Sequence, residues 1–309
     1  MTRPTGAPDR LTSAAFLAAV LIGGVNFVAV RYSNRELAPF FGAGIRFAAA
    51  AVLLVAFVVI RRIGFPRGRA LWAALAYGVL SFAVTYALIY WALQELAAGV
   101  SAVIFAATPL VTIVLAGVHR LERFSRRGLV GAITVVIGIV VLANPAPGTD
   151  IPVIRLLAVL GATVAAAEAV VIMKLVPPVH PVATNATAMG LGAFLLLVVS
   201  AISGERWIVP EIGQTWLALS YLVFFGSVGL FGLILFTLGR WRASAVAYMT
   251  PLFPVVAMIA GAVIADESIT LAGVVGGAIV LAGVYVGALR PGSGRGTTAI
   301  SKAVSHDSG

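Results

Sequence analysis

Cysteine is absent from this 309-residue chain. That excludes disulfides and thiolate metal sites but leaves the compartment undecided, since a membrane protein needs neither. Charge is scarce as well, at 10% of residues against about 25% in soluble domains. The three histidines, His119, His180 and His306, are scattered over loops and tail, and the only adjacent acids are Asp266 and Glu267. So dispersed a set predicts no metal site, and it lacks the clustered acids or histidines that metal or acid–base chemistry at a membrane edge would need. A Gly-x4-Gly-Lys-Ser/Thr loop is missing too, so no ATP site is expected. No cofactor is called for by any motif.

What fills the chain is apolar: 61% of residues are hydrophobic and the mean hydropathy is +1.07. Runs near the ~20 helical residues that cross a bilayer fall at Leu11–Val30, Leu37–Ile60, Leu71–Leu93, Ala97–Val118, Gly128–Ala143, Leu156–Met173, Pro181–Ala201, Thr215–Leu238, Ala243–Ile264 and Leu271–Leu289. None alternates with period two, so helices are expected rather than barrel strands. A cleavable signal peptide is the competing reading of Leu11–Val30, after Arg3 and Arg10, but the run is long for a signal core.

The net charge of +10 invites a nucleic-acid reading until its distribution is considered. With the N-terminus inside, the outer segments hold only Arg31, Arg35, Arg155 and Arg206, and Arg46 lies within a span; the other sixteen of 21 basic residues lie inside. The positive-inside bias accounts for this and predicts two cytoplasmic termini. No nucleic-acid partner is required. The acids lean outward, at Glu36, Glu95, Asp150, Glu205, Glu211, Asp266 and Glu267.

Sliding the chain by 145 positions lays Pro109 on Pro254, Glu122 on Glu267, Ser125 on Thr270, Gly128 on Gly273, Gly131 on Gly276 and Gly138 on Gly283. Each half holds five spans, and five is odd, so the second copy enters from the opposite side. The expectation is an all-α integral membrane protein of ten transmembrane helices in two inverted-topology five-helix repeats, an architecture of many secondary transporters. The expected segments are a cytoplasmic N-terminus at 1–10, repeats at 11–144 and 153–289, and a disordered cytoplasmic tail at 290–309.

Ionisable residues inside a bilayer are costly and point to function. Arg46 and Glu168 are two such residues, read as facing a central cavity where Glu168 carries a proton or meets a cationic group and Arg46 balances it; the alternatives are a buried ion pair or a snorkelling Arg46. Asn26 is by position the first-half counterpart of Glu168, available to a substrate or to an interhelical hydrogen bond. Tyr86, Tyr90 and Gln94 share one helix face. The 145-residue shift carries Tyr86 onto Phe231 but Tyr90 onto Leu235, so an aromatic pocket drawn from both halves rests on one pair. Trp72 and Trp91 are read as interfacial. Pro109 and Pro254 interrupt corresponding spans, as hinges or as static bends. Glu122 and Glu267 precede Ser125 and Thr270, and are read as structural acids at the starts of the following helices.

These features, with the Gly24-Val-Asn-Phe27 stretch of the first span, Arg46 in the second, and proline, Glu, Ser/Thr, Gly and Gly in order in each half, resemble the EamA-type transporters of the drug/metabolite transporter superfamily over about residues 11–289. Leu121 and Asp266 stand where that family often has glycine before its Glu, and Gly23 where it often has tryptophan. The resemblance implies export of amino acids, metabolites or drugs across an inner membrane by alternating access. It implies a small-molecule substrate bound among Asn26, Tyr86, Tyr90, Ser101, Phe105, Glu168, Phe231 and Tyr248. Homodimerisation is left open. A membrane-embedded enzyme on lipid-like substrates and a channel are the competing classes.

Overall fold

In a chain this apolar, a backbone can satisfy its own polar groups only by coiling into helices. The computed structural model describes residues 10–120, 126–143, 152–176, 180–238, 240, 246 and 249–286, and among them there are helices and no strand. Ten helical spans run in order: α1 (Arg10–Ser33), α2 (Pro39–Ile60), α3 (Arg69–Ala92), α4 (Ala98–Val118), α5 (Arg126–Ala143), α6 (Val153–Lys174), α7 (Pro181–Ile202), α8 (Gly213–Val223 continued through Leu230–Leu238), α9 (Met249–Ile264) and α10 (Leu271–Val284). Seven are long and apolar enough to cross a membrane, and the shorter apolar helices Gly128–Val141, Met249–Ile264 and Leu271–Val284 complete the ten. The N-terminal and C-terminal tails, Glu122, Ser125 and Tyr248 lie outside the described residues.

The repeat is visible in how the helices pair. α2 packs on α7 and α5 on α10, each helix against its own counterpart, while α1 packs on α8 and α9 as α6 packs on α3 and α4. At the α5–α10 crossing, a Cβ added to Gly138 would come within 2.9 Å of the Gly276 carbonyl, and one added to Gly283 within 2.8 Å of the Gly131 carbonyl. Four of the six glycines aligned by the 145-residue shift, Gly131, Gly138, Gly276 and Gly283, therefore pack reciprocally. This is how helices approach where lipid offers no hydrophobic drive.

Helix ends repeat as well. After α2, Ile63 N–H donates to Val58 O (2.9 Å) with Arg62 at φ 53°; after α7, Glu205 N–H donates to Ser200 O (3.0 Å) with Gly204 at φ 69°. Both are the left-handed helix stop that usually recruits glycine. Arg120 after α4 and Asp266 after α9 repeat it at φ 59° and 52°.

Two expectations change on contact with the structure. The interruption expected of span four is there, just ahead of Pro109: the helix stops at Phe105 and restarts at Thr108, with Pro109 in the first turn of the second segment, where proline's missing donor costs nothing, but α9 shows no matching break. Pro254 sits inside a continuous α9. Thr270 does cap α10, accepting from Gly273 N–H at 3.0 Å, but Glu267 serves a different helix, α4, as described below.

Candidate functional site

α3 and α8 share a departure from α-helix. Each has a π-helical stretch, Gly78–Val84 and Phe224–Gly229, the kind of local widening that is frequent at functional sites. In both, a hydroxyl donates to the carbonyl five residues back: Thr85 to Leu80 O at 2.7 Å and Ser227 to Leu222 O at 2.9 Å. In α8 the widened turn presents the Gly226 carbonyl and the Ser227 hydroxyl to the bundle interior.

Arg46 of α2 reaches that turn. It is wholly buried, with Nε donating to Ser227 Oγ (3.0 Å), Nη2 to Gly226 O (3.1 Å) and Nη1 at 3.4 Å from the Tyr90 hydroxyl. The rings of Phe47 and Tyr86 lie 4.9 and 5.1 Å from its guanidinium carbon, within cation–π range. All three acceptors are neutral, and among the described residues no carboxylate pairs with it. An arginine at a helix centre costs at least ~2.5 kcal/mol on insertion scales; hydrogen bonds to a charged group contribute about 1.5–3 kcal/mol each, enough to hold it there. Arg46 therefore neither snorkels nor forms a buried ion pair.

Asn26 meets the same carbonyl from α1, its Nδ2 donating to Gly226 O at 3.3 Å. A Cβ on residue 226 would stand 2.2 Å from Asn26 Oδ1 and 3.2 Å from Arg46 Nη2, so glycine is what admits both side chains. Gly23 and Gly24 set α1 against α9: Cβ atoms there would fall 2.3 Å from the Phe253 ring and 2.4 Å from Val256.

Around these groups lies a cavity of about 70 Å³, lined by Gly23, Asn26, Phe27 and Val30 of α1, Arg46 of α2, Tyr86 and Ile89 of α3 with Leu93 just after it, Phe105 of α4, Leu230 of α8 and Phe253 of α9. It is apolar apart from Asn26, Arg46 and the Tyr86 hydroxyl. Of the residues expected from the sequence, Asn26, Arg46, Tyr86 and Phe105 line it together. Tyr90 sits behind it with its hydroxyl at Arg46 and its carbonyl taken by Asn34 Nδ2 at 2.8 Å. Ser101 is fully buried, its hydroxyl unpartnered among the described residues. Of the repeat-related pair Tyr86 and Phe231, only Tyr86 is among the cavity-lining residues; both rings pack on Phe82, Phe231 at 5.9 Å and Tyr86 at 6.3 Å.

Glu168 is not among the cavity-lining residues. Its Oε1 pairs with His119 Nε2 at 2.8 Å, at the far end of α4, and Oε2 is buried without a partner among the described residues. The expected balance of Glu168 by Arg46 is not formed.

The opposite end of the bundle is tied by carboxylates that cross between repeats. Glu267, after α9, pairs with Arg31 of α1 and accepts from Ala98 N–H at the start of α4 at 3.0 Å. Glu205, after α7, accepts from Phe40 and Phe41 N–H at the start of α2 (3.1 and 2.8 Å). Glu36, after α1, accepts from Glu211 N–H (2.9 Å) and Ile212 N–H (3.2 Å) before α8. The Thr215 hydroxyl, helped by those two N–H groups and opposed by burial, holds the Glu36 carboxyl below the usual carboxylate range. Tyr32 adds a bond to Ile264 O, and Arg155 pairs with Glu95 between α6 and α3. Helix N-termini attract carboxylates, and this explains why the acids lean to one side. Between this rim and the cavity stand Val30 and Leu93, 2% and 1% exposed. Beyond them a polar vestibule of about 340 Å³ is lined by Arg31, Tyr32, Asn34, Arg35, Leu93, Gln94 and Ala265.

Sequence reasoning missed Gly226, Ser227, Leu93 and His119. Gly226 lies in a glycine-rich run with Gly229 and Gly232, and no local signal marks a π-stretch or a partner 180 residues away.

The EamA-like transporter family model matches residues 11–144 and 153–288. An "Uncharacterized transporter" of Archaeoglobus fulgidus is 27% identical over 86% of this chain and 95% of its own. An "Uncharacterized inner membrane transporter YedA" of Escherichia coli K12 is 28% identical over 83% of each. A "Probable amino-acid metabolite efflux pump" of Salmonella typhimurium is 27% identical over 87% of this chain and 92% of its own. A crystal structure of a protein 18% identical shares the fold, with a TM-score of 0.63 over 89% of this chain and 96% of that one.

Proposed function

From the premise that the chain belongs to the EamA-like transporter family, and is thus a membrane transporter, we propose that it is a secondary exporter of small metabolites working by alternating access. The observation that carries this reading is a small cavity at the meeting of both repeats, separated from one face by Val30 and Leu93 and by cross-repeat carboxylate ties. Inverted repeats supply two packings related by symmetry, so a rim closed by one half can open while the other half closes. The positive-inside bias puts the tied rim outside and both termini in the cytoplasm of a bacterial-type inner membrane.

Asn26, Arg46, Tyr86 and Phe105 contact the substrate. Tyr90 holds Arg46 in place from behind and Phe231 backs Tyr86 through Phe82, Ser101 lies further back, and the break at Pro109 lets the halves of α4 move separately, with Pro254 its counterpart. Glu168, held by His119, is the proton-coupling group. A relative named for amino-acid metabolite efflux makes amino acids and their derivatives the first compounds to try.

The test is uptake into proteoliposomes of purified protein, with and without an imposed pH gradient, alongside Glu168→Gln. Gradient-driven uptake lost in the variant supports the reading. Gradient-independent exchange that survives the substitution removes Glu168 from coupling, and absence of flux for every compound overturns the transporter assignment of the cavity.

A further inference from the structure

A second and larger cavity, of about 400 Å³, opens on the outside of the bundle between α1, α8 and the end of α9. On α1 it is lined by Val25, Val28, Ala29 and Tyr32, which fall at i, i+3, i+4 and i+7 and so share one helix face. On α8, Gln214, Leu217, Ala218 and Tyr221 repeat that spacing. Ala29 and Ala218 are buried and too small to fill the space between the helices, while Leu217 and Ile264 beside it are 73% and 49% exposed.

The groove is apolar because both tyrosines spend their hydroxyls on backbone. Tyr221 donates to Ile22 O at 2.9 Å and Tyr32 to Ile264 O. Gln214 is the one other polar side chain among the lining residues, and it lies at the end where α8 begins. That end is cationic. Arg35, just past α1, donates to Gln214 Oε1 at 3.2 Å and stacks over the Tyr32 ring at 3.8 Å. It is exposed and, unlike Arg31 and Arg155, forms no ion pair among the described residues. The acid next to it, Glu36, is taken up by the N–H groups of Glu211 and Ile212.

The depth of these groups fits one leaflet. Trp216, exposed and two residues from Gln214, belongs to the interfacial level that tryptophan favours. The helix rise from Tyr32 to Val25 is about 10 Å, within the ~15 Å that the chains of one leaflet occupy. Water finds no partners in such a groove. A guanidinium fork matches phosphate oxygens, and a zwitterionic headgroup would bring its own ammonium towards Arg35.

We propose that this groove is a lipid site: an anionic phospholipid of the rim-side leaflet lays one acyl chain between α1 and α8, with its phosphate on the Arg35 guanidinium and the Gln214 amide N–H. Helix α1 belongs to one repeat and α8 and α9 to the other, so the lipid bridges the repeats beside the Tyr32 and Glu36 ties. The site requires a bilayer around the chain but neither a particular substrate nor a direction of transport.

The experiment places the full chain in phosphatidylcholine nanodiscs containing a trace of phosphatidylglycerol or phosphatidylcholine with a photoactivatable diazirine in one acyl chain, and maps the cross-linked peptides by mass spectrometry. Labelling of residues 25–32 and 214–221 by the phosphatidylglycerol probe is expected to be at least fivefold above that by the phosphatidylcholine probe. Unlabelled phosphatidylglycerol should displace it, and soluble glycerophosphoglycerol should not. Arg35→Gln should bring it down to the phosphatidylcholine level, with labelling of the exposed α2 face at residues 52–60 unchanged.

Equal labelling by the two probes reduces the groove to ordinary lipid contact and overturns the proposal. A phosphatidylglycerol preference that survives in Arg35→Gln overturns it as well. Displacement by glycerophosphoglycerol makes Arg35 a site for free anions and removes the acyl chain from the account. A groove left unlabelled while α2 is labelled is covered by something else, such as a second copy of the chain, and again overturns the proposal. None of these outcomes depends on flux, so the transporter reading stands or falls separately.

Discussion

Replacing Gly226 with alanine puts one methyl group where the site has no room. Its Cβ would fall 2.2 Å from Asn26 Oδ1 and 3.2 Å from Arg46 Nη2, so Asn26 must withdraw and Arg46 must shift. Asn26 loses its bond to the Gly226 carbonyl, worth about 0.5–1.5 kcal/mol, and the Arg46 bond to the same oxygen, about 1.5–3 kcal/mol because the donor is charged, is weakened or lost. The expected destabilisation is about 2–4 kcal/mol. The assay is reversible unfolding of purified protein in mixed micelles, with Asn26→Ala and the double variant completing a cycle. Removing the Asn26 amide relieves the closest contact, so Gly226→Ala should cost less in the Asn26→Ala background, with a coupling of at least ~1 kcal/mol. A Gly226→Ala protein as stable as wild type, or effects that simply add, would refute the placement of these three residues around one carbonyl.

The remaining predictions concern the rim and the repeat axis. Glu267→Gln removes the charge that holds Arg31, so a cysteine at Leu93, introduced into a chain that has none of its own, should react with an impermeant thiol reagent several-fold faster than in the parent; an unchanged rate refutes the clamp. Glu36 has its folded-state pKa depressed by the Thr215 hydroxyl and the N–H groups of Glu211 and Ile212, so its contribution to stability is full above the unfolded carboxylate value of about 4.3 and is lost as pH falls below that through the folded value. Melting of Glu36→Gln should therefore differ from wild type at pH 7, with the gap shrinking only as pH falls from the unfolded value through the lower folded one; a gap that does not shrink in acid contradicts this. Gly283→Val forces a side chain into the Gly131 carbonyl and Val135, and overpacking of this kind costs about 1–3 kcal/mol, read as a lowered melting temperature beside an unaffected Gly190→Ala control, whose added Cβ meets nothing within 4 Å.

Much of the fold was legible because it is written in local composition and in the repeat. The 145-residue shift aligned Gly131 with Gly276 and Gly138 with Gly283, and these four meet across the α5–α10 crossing. The outward lean of the acids was visible, but its reason was not. Glu36, Glu205 and Glu267 each cap a helix of the other repeat, 164 to 175 residues away, and no window of sequence records such a partner. Glu168 and Arg46 stood out as intramembrane charges, yet hydropathy says nothing about direction. Their natural pairing as opposite charges gave way to His119 for one and to a π-stretch for the other. That stretch was illegible for a further reason: one extra residue in a turn changes which carbonyl is free without changing the apolar pattern.

The central claim is that the cavity around Arg46 opens to the outside only when the Glu267 clamp parts. The most direct test replaces Arg31 and Glu267 with cysteines and bridges them by a short, reducible bifunctional thiol reagent, with flux measured before bridging, after it and after reduction. The account predicts transport that stops on bridging and returns on reduction. Undiminished flux through a fully bridged protein would contradict it.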